Sequence, residues 1–183
     1  MTVLTAIENS SPEDSVTFTE TGVRDVTWDS SNIGMKLGET ITMKDCWYAA
    51  IIKSANEVCA QMAEYVGGTE AQFIEMMNEK ARELGCRNTH FANASGLPDS
   101  NHYTTAYDLY LIFNEAMKLP KFREIIGADA YTAQPIIRFR LQTSARQEEC
   151  ILICLLWQKN PIFIMKAALA EKQEIPMTQA IPL

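Results

Sequence analysis

The chain has 183 residues, of which 47% are hydrophobic and 21% charged, a composition typical of a single globular domain with its own core. Its formal net charge of −7 argues against nucleic acid as a partner, because phosphate binding favours a basic surface. The longest apolar run in the C-terminal part, from Ile151 to Trp157, is far shorter than the roughly 18 residues of a membrane span.

The first elements are predicted from periodicity and stop signals. Residues Met1 to Glu8 are predicted to form the end of a helix, which the sequence Asn9-Ser10-Ser11-Pro12 stops. Val16 and Phe18 alternate with threonines, and this pattern predicts a short strand.

A loop and two helices are predicted next. Gly34 and Gly38 mark the loop, and Thr42 is a candidate N-cap for the first of these helices. The second is predicted from Glu57 to Tyr65 and ends at Gly67-Gly68. The apolar face of the first helix is expected to include Trp47, Ala50 and Ile51.

Two more helices follow. Thr69 and Gln72 fit a capping box, and Gly85 stops the helix that it opens. Thr104 or Thr105 caps the last helix, which runs to Leu119-Pro120. The apolar faces are predicted to carry Phe73, Met76, Met77 and Leu84 in the first, and Leu109, Ile112, Phe113 and Met117 in the second. Composition and periodicity thus predict a mainly helical fold with some strand.

The sequence Lys53-Ser54-Ala55-Asn56 interrupts two helical patterns and carries potential chemistry. A hydroxyl and a carboxamide two residues apart at a helix junction can both face one cleft. There the serine relays a proton and the asparagine donates a hydrogen bond to a substrate amide. An isolated Ser-x-Asn is more often a turn or cap, so the motif alone is weak.

The chain resembles the low-molecular-weight penicillin-binding proteins, which are serine-type D-Ala-D-Ala carboxypeptidases of the peptidase S11 family. The resemblance runs from Met1 to about Pro135, and the order and spacing of its motifs make it specific. These motifs are Ser31-Asn32-Ile33-Gly34, Leu37-Gly38-Glu39, Ser54-Ala55-Asn56-Glu57, the run from Met77 to Gly85, Asn88-Thr89-His90-Phe91, Asn93, Gly96-Leu97 and the run from His102 to Leu109.

The resemblance implies an α+β fold, namely part of the penicillin-recognising serine hydrolase (β-lactamase/transpeptidase-like) fold, and mostly its helical lobe. It also implies acyl transfer from peptidoglycan stem peptides ending in D-Ala-D-Ala, inhibition of the intact enzyme by β-lactams, and a location on the extracytoplasmic face of the cell envelope. It implies no metal and no organic cofactor.

The family's site uses Ser-x-x-Lys, Ser-x-Asn and Lys-Thr-Gly, and only the second occurs here. Ser54 and Asn56 therefore inherit the catalytic roles. Met1-Thr2 fits the Met-Thr that follows Ser-x-x-Lys in the family, so we expect an N-terminally truncated chain whose nucleophilic Ser and activating Lys lie upstream of Met1. The truncated chain is expected to be inactive.

The composition changes near Pro135. Residues 136–183 contain no Gly, Asp or Tyr and carry a net charge of +2, against −9 for residues 1–135. Read two bases later, permitted codons for Ala170-Glu171-Lys172-Gln173-Glu174 encode Gly-Lys-Thr-Gly-Asn. We therefore divide the chain into a partial catalytic domain, 1–135, and a poorly ordered tail, 136–183, that is a frameshift product and in which Lys172 is an ordinary surface residue.

Two alternatives remain open. One is a class A-type β-lactamase-like hydrolase, although Ala55 stands where those enzymes usually carry Asp. The other is a non-enzymatic helical binding or scaffold protein with a genuine tail. The remaining chemistry-bearing residues are assigned structural roles: His102 and Asp108 support the fold, the isolated His90 is no zinc ligand, and the five scattered cysteines are buried thiols.

Overall fold

The computed structural model describes residues 1–24, 30–128 and 130–133, with the strand positions 141–142 and 174–176. Within these ranges the chain is mainly helical. The helices are α1 (Thr2–Asn9), α2 (Glu20–Val23), α3 (Met43–Ile52), α4 (Asn56–Gly67), α5 (Glu70–Glu83), α6 (Ala106–Ala116) and α7 (Pro120–Ile126). The strands are β1 (Ser15–Thr17), β2 (Thr40–Thr42), β3 (Tyr103–Thr105), β4 (Ala130–Tyr131), β5 (Leu141–Gln142) and β6 (Glu174–Pro176).

The strands form three antiparallel pairs: β1 with β2, β3 with β6, and β4 with β5. In the first pair, Val16 lies opposite Ile41 and both side chains are buried. The neighbouring pair, Thr17 and Thr40, faces outward and joins its hydroxyls at 2.9 Å. The alternation expected for a strand with one buried face is therefore present.

Helix α4 lies at the centre of the helical packing, in contact with α1, α2, α3 and α5. Val58, Met62 and Ala63 of α4 are fully buried. The turn from α4 to α5 is tight: a Cβ on Gly67 would lie 2.6 Å from the backbone nitrogen of Phe73, and Gly68 has a φ of +76°. Glycine is required at both positions, because of close approach at the first and backbone conformation at the second.

The predicted caps are confirmed because they depend on local chemistry. The Thr42 hydroxyl accepts from the backbone N–H of Asp45, whose carboxylate accepts from the Thr42 N–H, and this completes a capping box. Thr105, not Thr104, caps α6. Thr69 caps α5 as predicted, but its hydroxyl donates to the Gln72 side chain and the box is not completed through the Thr69 N–H.

The structure differs from the sequence-based expectations in three places. On α3 the predicted face is present, with Trp47 buried and Ala50 and Ile51 partly buried against the core, but Cys46 and Ala49 are buried as well, so the buried face is wider than expected. Leu109 was expected in the core but is 44% exposed. The short helix α2 was not predicted: the backbone N–H of its N-cap, Thr19, donates to the Gln61 side chain 42 residues away, a contact that local sequence does not signal.

The tail predicted for residues 136–183 lies outside the described residues, apart from the strand positions 141–142 and 174–176. Lys172, Cys150 and Cys154 fall in the same part. Of the helices that are described, none is long and apolar enough to cross a membrane.

Candidate functional site

The Ser-x-Asn sequence lies at the junction between α3 and α4. Helix α3 ends at Ile52, Ala55 is the N-cap of α4, and α4 begins at Asn56. Between them Ser54 has a φ of +54°, the one positive value among the described residues that are not glycine. A non-glycine residue with a left-handed backbone is uncommon and costs on the order of 1–2 kcal/mol, so the turn must be held by its surroundings.

Ser31 contacts the chain on both sides of Ser54. Its hydroxyl donates to the carbonyl of Lys53 at 2.5 Å, and its carbonyl accepts from the backbone N–H of Asn56 at 2.9 Å. Between these contacts, the N–H of Ala55 donates to the carbonyl of Ala49 at 3.3 Å. The residues that flank Ser54 therefore each have a defined hydrogen-bond partner.

Glu57 anchors the loop that carries Ser31. The residue is 2% exposed, and Oε1 accepts from the backbone N–H groups of Ile33 at 2.6 Å and Gly34 at 3.1 Å. Burial raises the pKa of this carboxyl, and the backbone N–H groups of Ile33, Glu57, Gly34 and Met35 act in the opposite direction. A carboxylate in the first turn of α4 is also favoured by the helix dipole.

A small, solvent-open cleft of about 80 Å³ lies next to this junction. Asn56 and Glu57 of α4 line one side of it. Ser54 is half-buried and is not among the lining residues. The other lining residues come from α2, α4, α5 and the loop after residue 92: Thr21, Gly22, Ala60, Glu70, Asn93, Ser95 and Leu97.

The loop from 86 to 97 is fixed by three buried polar side chains. The Asn78 amide pairs with both backbone groups of Phe91, donating at 2.9 Å and accepting at 2.8 Å. Asp108 accepts from the N–H of Asn88 at 2.8 Å, and Nδ1 of His102 accepts from the N–H of Ala92 at 3.3 Å. Asp108 and His102 thus make the contacts expected of residues that support the fold.

His102 is 2% exposed, and burial lowers the pKa of its imidazole. Because Nδ1 accepts a hydrogen bond, the proton of the neutral ring resides on Nε2, which has no partner among the described residues. The ring also packs edge-on against Phe91. Its electrostatics therefore favour a neutral, structural histidine.

Of the two predicted site residues, the structure places Asn56 on the cleft and Ser54 two residues before it, outside the lining. Neither side chain has a hydrogen-bond partner within the described ranges, so both remain available to a ligand. Ser31 and Glu57 were missed as functional candidates. The only sequence signal for them was their presence in the motifs Ser31-Asn32-Ile33-Gly34 and Ser54-Ala55-Asn56-Glu57.

The Ser54 hydroxyl and the Asn56 carboxamide offer hydrogen-bonding groups at this site. A serine hydroxyl becomes a good nucleophile only beside a base, and in the described part of the chain no hydrogen bond joins Ser54 to a lysine amine or an imidazole. Across the same residues, no group of three or more His, Cys, Asp or Glu side chains is arranged to hold a metal ion.

Comparison with known proteins gives a consistent family. Residues 1–154 match the Peptidase_S11 family model, described as D-alanyl-D-alanine carboxypeptidase. The D-alanyl-D-alanine carboxypeptidase DacF of Bacillus subtilis (strain 168) is 37% identical over 97 residues, which are 53% of this chain and 25% of that protein. The chain therefore spans about a quarter of the length of this curated relative.

Solved structures show the same fold. A D-alanyl-D-alanine carboxypeptidase from Mycobacterium tuberculosis H37Rv aligns with a TM-score of 0.65 and 26% identity, covering 74% of this chain and 54% of that one. Penicillin binding protein 6B from Escherichia coli aligns with a TM-score of 0.68 and 25% identity, covering 79% and 48%. The α+β fold predicted from the sequence, mostly the helical lobe of this architecture, is confirmed.

Proposed function

Because the chain belongs to the peptidase S11 family of D-alanyl-D-alanine carboxypeptidases, we propose that it is part of a serine-type enzyme that removes the terminal D-alanine from peptidoglycan stem peptides. The observation that carries the proposal is the Ser54-Ala55-Asn56 turn, held at the start of α4 with Asn56 on an open cleft. A stem peptide ending in D-Ala-D-Ala is the proposed substrate, and β-lactams are the proposed inhibitors of the intact enzyme.

The proposed reaction is acyl transfer through a serine ester. A nucleophilic serine attacks the carbonyl between the two D-alanines, the peptide C–N bond breaks, and the terminal D-alanine leaves as an amine after it gains a proton. Water then hydrolyses the ester and regenerates the serine. In this scheme the Ser54 hydroxyl relays protons, and the Asn56 amide donates a hydrogen bond that orients the substrate.

The 183 residues contain neither Ser-x-x-Lys nor Lys-Thr-Gly, the motifs that supply the nucleophile and the carboxylate contact in the family. We therefore expect the chain alone to have no activity. Purified chain incubated with fluorescent penicillin should carry no covalent label on a denaturing gel. A stable fluorescent band that excess unlabelled penicillin suppresses would contradict this expectation.

The family role of the segment is tested by grafting. Residues 1–133 replace the matching segment of the Bacillus subtilis relative, and release of D-alanine from a D-Ala-D-Ala peptide is measured. The graft should be active, and Ser54→Ala or Asn56→Ala within it should lower kcat/KM by about 10²-fold or more, as for loss of a proton relay. A folded graft whose activity is unaffected by either substitution would refute the proposed roles, and preferential turnover of nitrocefin would favour the β-lactamase alternative.

The same proposal places the intact enzyme on the extracytoplasmic face of the cell envelope, where its substrate is found. We also propose that residues 136–183 arise from a change of coding frame near Pro135, supported by the loss of Gly, Asp and Tyr after that point. Sequencing the source DNA across this region tests it: a Lys-Thr-Gly codon series in the neighbouring frame is expected, and its absence would sink the idea.

A further inference from the structure

The conformation of Ser54 depends on the loop packed against it. A serine with a φ of +54° is strained, and within the described residues its side chain makes no hydrogen bond to the local backbone that would compensate. The two hydrogen bonds from Ser31, one to Lys53 and one from Asn56, bracket the strained residue. Displacement of Ser31 would therefore release Ser54 to a right-handed or extended backbone.

Ser31 is itself held in place from α4. The next residues of its loop, Ile33 and Gly34, direct their N–H groups to a single oxygen of Glu57. These contacts join positions 24 and 23 residues apart in the chain. Glu57 also follows Asn56 directly, so one buried carboxylate connects the first turn of α4 to the loop that brackets Ser54.

We propose that Glu57 is a positioning residue that sets the backbone of the Ser54-Ala55-Asn56 turn through the loop of residues 31–34. The carboxylate does not touch the substrate; it fixes Ser31, and Ser31 fixes the residues on either side of Ser54. The catalytic meaning of this arrangement rests on the proposed function, whereas the geometric coupling does not.

Backbone NMR and amide hydrogen exchange on the full 183-residue chain test the coupling. Glu57→Ala removes the acceptor for Ile33 and Gly34, whereas Glu57→Gln keeps an oxygen at the same distance along the side chain. With Glu57→Ala, the amide signals of Ser54 and Asn56 should move and the Asn56 amide should exchange about tenfold or more faster, as for loss of one hydrogen bond. With Glu57→Gln, both should stay close to those of the unmodified chain.

Asn78→Ala is the matched control, because it also removes two hydrogen bonds to the backbone but lies on α5. It should lower global stability but leave the amide chemical shifts of Ser54 and Asn56 in place. If Glu57→Ala does not fold, Glu57→Asp, one methylene shorter, replaces it with the same expectation. The proposal is overturned if Glu57→Ala or Glu57→Asp leaves the Ser54 and Asn56 amide signals unmoved. It is also overturned if Glu57→Gln or Asn78→Ala moves these signals as far as Glu57→Ala does.

These readouts do not require catalysis. An inactive but folded graft of residues 1–133 would refute the proposed carboxypeptidase function and leave the coupling intact. Unmoved Ser54 and Asn56 signals would refute the coupling and leave the family role of the segment intact.

Discussion

The side chain of Asn78 offers a quantitative test of how the wall of the cleft is held. Its amide is 6% exposed and pairs with both the N–H and the C=O of Phe91, like a neighbouring strand. Asn78→Ala leaves two buried backbone groups without partners. At about 1–3 kcal/mol for each, the free energy of unfolding should fall by about 2–6 kcal/mol.

Asn78→Asp separates the two bonds. The new side chain can still accept from the Phe91 N–H, but as a carboxylate it cannot donate to the Phe91 carbonyl. Protonation restores the donor, so the folded state should raise the pKa of this carboxyl above its unfolded value of about 3.9. The stabilising contribution is therefore present at low pH and lost as the pH rises through the folded-state pKa.

Equilibrium unfolding in urea at pH 7 and at pH 5 measures both effects. With a slope of about 2 kcal/mol per molar, Asn78→Ala should lower the midpoint by about 1–3 M. Asn78→Asp should lose more stability at pH 7 than at pH 5, relative to the unmodified chain. Asn114→Ala, on an exposed position of α6, is the control and should change stability little. A cost below about 1 kcal/mol for Asn78→Ala, or a pH-independent cost for Asn78→Asp, would refute the reasoning.

Three further predictions follow from buried or strained groups. Since burial lowers the pKa of His102, stability should be full above pH ~6.5 and decline as the pH falls through the folded-state pKa. His102→Gln should flatten this decline in thermal melts, and an unchanged decline would contradict the prediction. Ser54→Gly should be more stable to urea than Ser54→Ala by about 1 kcal/mol, because only glycine adopts the left-handed backbone freely, and equal stability would contradict the observed φ. Burial raises the pKa of both Cys46 and Cys59, to about 12 for Cys59. Iodoacetamide at pH 8 should therefore leave both thiols unlabelled in the folded chain and label them in urea. Rapid labelling of the folded chain, detected by peptide mass spectrometry, would disprove their burial.

Local signals carried most of what the sequence could predict about the fold. Thr42, Thr69 and Thr105 cap their helices through the backbone of the residue three positions later, so the pattern is visible in the local sequence. The exposure of Leu109 and the partial burial of Ile51 depend on which elements pack against each helix, and periodicity does not contain that information.

The same distinction applies to the site. Ser54 and Asn56 were identifiable because their residue types and spacing match a motif. The left-handed backbone of Ser54 was not, since serine has no intrinsic preference for it and its cause lies in Ser31, 22 residues from Lys53. Glu57 reads in the sequence as an ordinary first-turn carboxylate, and only the folded chain reveals that it receives the N–H groups of a distant loop.

The central position of α4 has a consequence for local motion. Because this helix contacts α1, α2, α3 and α5, its first turn cannot fray without breaking the cooperative unit that contains most of the buried side chains. Opening of Asn56 therefore disturbs the packing of this core as well as the hydrogen bond to Ser31. Substitutions on the outer faces of α5 or α6 should then leave the position of Asn56 unchanged. A substitution that opens a cavity beside Val58 or Met62 should instead destabilise the first turn of α4.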